Sequence, residues 1–279
     1  MTEAGLDLAA GDASPAEART IEELAANAWP AEAVEELDGW RLRASPDRTW
    51  RANSVWPNAH DGRLPVEERI ARAEAFYAMR RAPVRFQICK AAVPAELDTH
   101  LAQRGYVVQK PTCVITAETA AVIERACPPG APATALRTDL EEVLSAAWLD
   151  AYVCIQGFDG PTADARRQLF ERIVPPHCHV RVSRAGEVIA VGVGVAERGW
   201  AGVYSLATAP GARRMGAGTT VLSALLGWAR GRGATRAYLQ VEADNASALA
   251  LYAGLGFGLR YAYHYRVWSV GRTEGSGSE

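Results

Sequence analysis

Three landmarks in the first half of this 279-residue sequence recur at a near-constant distance in the second. Arg51 to Pro57 (RANSVWP) ends in proline as VYSLATAP does at Pro210, 153 positions later. Arg85 to Cys89 (RFQIC) corresponds to Arg236 to Gln240 (RAYLQ), and LDTHLAQRGY to ALALYAGLGF, both at 151. A spacing that holds over three landmarks points to an internal duplication. The bland alternative is two unrelated α/β modules that match by chance. Between the copies, Ala126 to Thr134 (ACPPGAPAT) carries three prolines and a glycine without periodicity, which reads as a linker with a boundary near residue 130. Two units follow, residues 18–125 and 133–270, in a chain long enough for about two domains.

Local patterns place elements in both units. In the second, Thr134 to Arg137 reads as a strand and Asp139 to Val153 as a helix, with Leu140, Val143, Leu144, Ala147 and Trp148 at helical spacing and Thr138 or Asp139 as N-cap. A helix over 162–173 and strands over 178–183, 188–196 and 201–208 come next, the first two strands joined by a hairpin turn at Ala185-Gly186. Gly216 to Arg230 is a helix with Val221, Leu222, Leu225, Leu226 and Trp228 on its apolar side. Strand 236–242, helix 246–255 and strand 257–268 complete an α/β order. In the first unit, Arg51–Pro57 is a strand and Val66–Arg80 a helix, while Arg85–Cys89 sits where strand residues 236–240 sit and Leu97–Tyr106 matches Ala248–Phe257. Residues 1–17 and 271–279 read as tails.

Composition narrows the function classes. Hydrophobic residues at 49% and charged residues at 22% suit a globular core. A net charge of −2 gives no basic field for nucleic acid, although arginine (28) far outnumbers lysine (Lys90 and Lys110). The longest apolar runs, such as Val188 to Ala196, are too short to span a membrane. The acidic N-terminus is unlike a secretory signal. Five scattered cysteines without a CxxC favour a reduced setting, so cytoplasm is the expected location. His177-Cys178-His179 does not read as a metal site, because alternate residues of a strand face opposite ways.

The chemistry concentrates at Ala209 to Thr219, where Arg213, Gly216 and Gly218 form R-x-x-G-x-G between a strand and a helix. Glycine permits positive φ and close approach of the backbone. The first amides of the helix point outward at the positive end of its dipole, a geometry that holds a diphosphate without lysine or metal. A tight packing turn is the other reading of two such glycines. A P-loop is excluded because no lysine follows Lys110, and G-x-G-x-x-G because Gly218 is followed by Val221. Downstream lie Asn245, Ala248, Leu251, Tyr252, Gly256 and Phe257.

With that second cluster, residues 133–268 resemble the GNAT superfamily of acetyl-CoA-dependent N-acetyltransferases, which combines strand-Pro, R-x-x-G-x-G, and N-x-x-A-x-x-L-Y-x-x-x-G-F. The resemblance implies a mixed, mostly antiparallel central sheet flanked by helices, here as two similar domains in tandem. It implies that amides of Arg213, Arg214, Met215, Gly216, Ala217, Gly218 and Thr219 hold the diphosphate of acetyl-CoA. Leu206, Ala207 and Thr208 would pair with the pantetheine arm, the amide of Leu206 or Ala207 facing the thioester carbonyl, where central strands splay apart in this family. Asn245 would orient the arm or cap the helix, with Ala248 beside it. Tyr252 would protonate the departing thiolate, or serve only as core. Glu242, Glu197 and Asp159 are the acids available as a base, with Tyr204 or Ser205 holding water, and an already neutral amine would need none. Trp148, Tyr152, Phe158 and Tyr204 fall where the acceptor binds in this family, or are simply core.

In the first unit, NAHDGRLP (58–65) lacks R-x-x-G-x-G, and Pro94 and Leu101 stand 151 before Asn245 and Tyr252. That unit is a degenerate copy that completes the acceptor pocket or stabilises the active one, and Arg51 to Trp56, polar for a central strand, is expected to face its partner. The implied reaction is acetyl transfer to a primary amine of a small molecule, with a protein lysine or N-terminus as the alternative acceptor. A non-catalytic acyl-CoA sensor is the rival of another class. No metal, nucleic acid or membrane partner is expected, and the chain would act as a monomer or homodimer.

Overall fold

A computed structural model describes residues 11–47, 49–60, 62–127 and 135–268. Its first half runs α1 (Pro15–Ala28), β1 (Ala33–Leu37), β2 (Trp40–Ala44), β3 (Val55–Trp56), α2 (Val66–Met79), β4 (Arg85–Ile88), α3 (Leu97–Gln103), β5 (Tyr106–Glu118) and α4 (Thr119–Ala126). The second half runs β6 (Leu136–Glu141), α5 (Ala146–Gln156), α6 (Gly160–Glu171), β7 (His177–Arg184), β8 (Glu187–Glu197), β9 (Trp200–Thr208), α7 (Ala217–Arg230), β10 (Arg236–Glu242), α8 (Ala246–Gly254) and β11 (Gly258–Trp268). Hairpins form where two left-handed residues follow one another: Asp38-Gly39, Ala185-Gly186 and Arg198-Gly199 all have positive φ. Such two-residue turns match the twist of their flanking strands.

All eleven strands join in one mixed, mostly antiparallel sheet, in the order β1-β2-β3-β4-β11-β5-β10-β9-β8-β7-β6. Among the described residues only β3–β4 and β9–β10 pair in parallel, each across a helical crossover, and the run strand, helix, strand, helix, strand that begins with β3 recurs from β9. The halves also exchange strands. β11 lies between β4 and β5, and β5 lies between β11 and β10, so Val114 pairs with Tyr261 on one side and Gln240 on the other. Val114 and Cys113 are fully buried at this join.

Each half therefore lacks an interior strand without the other. Separate fragments 11–127 and 135–268 are expected to give poorly dispersed amide NMR spectra alone and a dispersed spectrum when mixed. A folded 135–268 fragment by itself would show that the exchange is dispensable.

Several sequence expectations shift. The strand over 134–137 is found at Leu136–Glu141 and runs through the residues read as the start of a helix. Leu136, Thr138 and Leu140 alternate, and ladder pairing with β7 overrides the helical spacing. The helix α5 begins only at Ala146, where the Ser145 hydroxyl accepts from the Trp148 amide. Arg51–Pro57 contributes only Val55–Trp56 as strand. The Asn53 side chain instead accepts from Ser45 N and donates to Thr49 O, local bonds that hold residues 45–54 in a turn.

The reading of 1–17 as a tail fails for its described part, 11–17. Ser14 caps α1, Ala13 N donates to Arg260 O, and Lys90 Nζ donates to Gly11 O and Ala13 O. Residues 1–10 and 271–279 and most of the linker lie outside the described residues. The buried face of α1 (Ala18, Ile21, Leu24, Ala25, Ala28) packs over the join between the halves, with Trp148, Tyr204, Tyr238 and Tyr261 in the same core.

Candidate active site

Glycine decides where the sheet opens. β9 and β10 pair only through Trp200–Gly202 and Arg236–Tyr238. A Cβ on Gly202 would stand 2.6 Å from the Tyr238 hydroxyl and 2.7 Å from the Tyr204 ring, so only glycine lets those tyrosines meet there, hydroxyl to hydroxyl at 2.7 Å. Beyond that point the strands diverge. Between them lies a cavity of about 620 Å³ lined by Val203 to Leu206 on one strand and Leu239 to Glu242 on the other. Ser205 has φ +49°, and the β8 register slips between Val191/Ala207 and Val193/Tyr204. This is a β-bulge, which turns the backbone of Ser205 and Leu206 out of the ladder beside the cavity. Ala207 and Thr208 continue β9 and are half-buried.

The turn into α7 has the geometry its sequence requires. Gly216 is left-handed at φ +80° and occupies the N-cap position, so no side chain satisfies the first amides of α7. Arg213, Arg214, Met215 and Gly216 are exposed, Ala217 is buried, and Gly218 and Thr219 are half-buried. A Cβ on Gly218 would be 3.4 Å from Thr208 Oγ1, so the turn and the end of β9 lie close together. The apolar face foreseen for α7, Val221 to Trp228, is buried against the sheet.

The wall opposite β9 is α8. Asn245 is its N-cap, and its Oδ1 accepts from Ala248 N and Ser247 Oγ at 3.1 Å. Asn245, Ala248 and Tyr252 all line the cavity. Tyr252 is 7% exposed, and burial pushes its hydroxyl up to about 12. Among the described residues that hydroxyl has no hydrogen-bond partner, although its ring packs on Phe257.

On the acceptor side, Tyr152 and Tyr204 line the cavity, and the Tyr152 hydroxyl is 3.4 Å from Ser205 Oγ. Trp148 does not line it. It is fully buried one layer behind, donating to Val180 O and stacked on Tyr152, because its indole finds both partners inside the core. Phe158 also sits behind Tyr152, edge-on at 5.5 Å. Glu242 reaches the cavity and is tied to Lys110 Nζ at 2.8 Å. The other two acids are elsewhere: Glu197 accepts from Asn27 beside a different cavity, and Asp159 caps α6. His179 is buried against Trp148 and Phe170, where desolvation lowers its pKa to about 4 and keeps it neutral. Among the described residues no group of three possible ligands could hold a metal.

The sequence pointed to a segment of the first half, Arg51 to Trp56, but to none of its individual residues as cavity-lining. Trp29 and Arg51 also line the cleft. A second chamber of about 430 Å³ adjoins it, sharing Trp29, Arg51, Gln240 and Glu242 and adding residues such as Trp50, Lys110, Tyr263 and Tyr265. The polarity of the segment from Arg51 was the only local signal.

A sheet whose central parallel strands splay beside an uncapped helix N-terminus defines the GNAT class of acetyltransferases. Two solved structures share the fold: a GCN5-related N-acetyltransferase from Kribbella flavida (TM-score 0.68, 17% identity, 92% of this chain and 97% of that one), and a tandem GNAT protein from the clavulanic acid biosynthesis pathway (TM-score 0.66, 11% identity, 93% and 90%). The family model described as "Probable histone acetyltransferase Rv0428c C-terminal" matches residues 15–266, and the chain belongs to that family. An uncharacterized N-acetyltransferase of Bacillus subtilis, YobR, is 32% identical over 249 residues, covering 89% of this chain and 98% of the relative. The protein is thus an N-acetyltransferase of the GNAT type. No helix among the described residues is long and apolar enough to cross a membrane.

Proposed function

We propose that the protein transfers the acetyl group of acetyl-CoA to a primary amine of a small molecule, with Tyr252 as general acid. The observation that carries this reading is one cavity with Tyr252 in its wall, its hydroxyl unpartnered among the described residues, and with Leu206 in its lining, a methyl of which would lie 3.6 Å from a Cβ on Gly218 at the uncapped start of α7. The residues fit the coenzyme: a left-handed Gly216 with nothing within 4 Å of a Cβ leaves room for a diphosphate. Amides from Arg214 to Thr219 hold that group, that of Arg213 being turned instead to Pro210 O at 3.4 Å, and the backbone of Leu206 to Thr208 pairs with the amide-bearing arm. Asn245 gives its Oδ1 to the cap, which leaves its NH₂ group for the arm, and Ala248 keeps that wall low.

Bound there, acetyl-CoA supplies an activated acyl group. The Leu206 amide, freed by the bulge, donates to the thioester oxygen as negative charge develops on it. Tyr252 holds its proton throughout the neutral range and gives it to the sulfur as the bond to carbon breaks. Glu242 takes the amine proton directly or through water, and its ion pair with Lys110 fixes its position. Tyr152 and Tyr204 wall the acceptor, Tyr152 set from behind by Trp148 and Phe158 and Tyr204 by Trp29 and Tyr238.

The family name favours a protein acceptor as the second reading. The chamber between the halves, about 430 Å³ and lined by Trp29, Trp50 and Tyr265, supports a small one. The degenerate unit, residues 18–125, completes the acceptor side of the catalytic unit, residues 133–270. One chain carries both halves in one sheet, which supports a monomer as the working unit. Five unpaired cysteines, two of them exposed, support a cytoplasmic setting. Thiol release from acetyl-CoA with a panel of small amines and lysine peptides tests the reading. Release with small amines is expected; release with peptides alone would reassign the acceptor, and coenzyme binding without release would make the protein a sensor.

A further inference from the structure

Arg51 lies at the seam of the two cavities with an unusual set of neighbours. Its guanidinium stands 5.5 Å from the Trp29 ring and 5.6 Å from the Tyr204 ring, and among the described residues it forms no ion pair. Its Nε is buried without a hydrogen-bond partner. An arginine withdrawn from water ordinarily meets a carboxylate, because the desolvation cost is otherwise uncompensated.

The surrounding groups do not supply that carboxylate. Glu22 on α1 feels the charge of Arg51, yet its oxygens are bound by Tyr261 Oη at 2.7 Å and Gln87 Nε2 at 2.6 Å, and burial raises its pKa toward the neutral form. Arg43, also in this core, is held by Ser54 and Gln87 and adds no negative charge. Tyr204 and Tyr265 are pushed up by burial and stay neutral phenols, and Tyr263 accepts a hydrogen bond from Arg51 without supplying a negative charge. Glu242, the acid that lines the chamber, is matched by Lys110. Among the described residues the chamber is left with one positive charge, on a planar donor, that no carboxylate matches.

We infer that Arg51 receives the carboxylate of the acceptor, which is an amino-acid-like molecule carrying its carboxylate close to the reacting amine. The inference rests on the small-molecule reading above and names the class within it. A guanidinium presents paired donors that match a carboxylate edge to edge. With the carboxylate so held, the neighbouring amine lies toward Ser205 and Leu206, which line the same cavity as Arg51. The side chain of the acceptor then occupies the chamber walled by Trp50, Tyr263 and Tyr265. A lysine within a protein offers no carboxylate beside its amine, so the same geometry disfavours it.

The test compares the common amino acids with their carboxamides on the full chain, by thiol release from acetyl-CoA and, separately, by calorimetric binding in the presence of coenzyme A. At least one acid is expected to exceed its carboxamide by tenfold or more in both readouts. In Arg51→Gln that ratio should fall to within about twofold, and Arg51→Lys should recover part of it. Melting curves confirm that both variants are folded. Acids that bind and react no better than carboxamides, or an Arg51→Gln protein that keeps the full ratio, would overturn the assignment and leave Arg51 as a clamp between aromatic rings. Arg51-dependent binding of acids without any thiol release would instead defeat the transfer reading while leaving the carboxylate site in place.

Discussion

Replacing Tyr252 with phenylalanine lowers kcat by about 100-fold, the low end of what a positioned proton donor contributes, and leaves coenzyme affinity within about threefold. The ring stays, so packing on Phe257 and the wall of the cavity are preserved; only the hydroxyl is lost. The hydroxyl has no partner among the described residues, so its removal orphans nothing and stability should hardly change. The pH profile separates a donor from a spectator. Burial raises the phenol to about 12, and a group with a raised pKa keeps its proton until the pH passes that value. The rate of the native enzyme should therefore rise as the acceptor amine loses its proton, with no fall attributable to Tyr252 below about pH 11. Phenylalanine at 252 should lower the whole curve without moving its ascending limb. A variant that lost coenzyme binding in proportion to activity would make Tyr252 a structural residue.

Gly216→Val should weaken coenzyme binding by about 100-fold or more, since each amide–phosphate bond is worth about 1.5–3 kcal/mol and a tenfold change about 1.4. The backbone there has φ +80°, which a β-branched residue adopts only at a cost of about 1–2 kcal/mol, so the turn rearranges and its amides swing away. Gly218→Ala is the informative companion. Its Cβ would rest 3.4 Å from Thr208 Oγ1 and 3.6 Å from a Leu206 methyl, contacts the free protein tolerates, and alanine favours the helix by up to about 1 kcal/mol. That variant should melt no lower than the native protein yet bind coenzyme about tenfold more weakly, because the methyl narrows the approach to the amides. Calorimetric titration beside a thermal melt reads both; unchanged affinity in both variants would remove the turn from the binding site.

What the sequence revealed was local in its physical cause. A left-handed residue before a helix, a helix cap at Asn245 and paired left-handed residues at Ala185-Gly186 are each determined by a few adjacent residues, so a motif or a turn signal exposes them. The exchange of β5 and β11 is not of that kind. Tyr106–Glu118 follows α3 without any mark of its destination, and its pairing with Glu242 and Trp268 depends on residues more than a hundred positions away. The surroundings of Arg51 were hidden for the same reason: its neighbours Trp29, Tyr204 and Tyr263 come from three separate parts of the chain. The start of α5 was misread because Leu140 satisfies both periodicities, and only the strand beside it decides between them. α1 was legible and overlooked, for Ser14-Pro15-Ala16-Glu17 has the spacing of a capping box, and the Glu17 amide does bond the Ser14 hydroxyl.

The most direct test is a crystal structure of the full chain with coenzyme A. The diphosphate should lie against the amides of Gly216 to Thr219, the arm along Leu206 to Thr208, and the sulfur within hydrogen-bonding reach of the Tyr252 hydroxyl. A nucleotide found instead beside Asn58 to Pro65, or a cleft between β9 and β10 left empty at saturating coenzyme, would contradict the account.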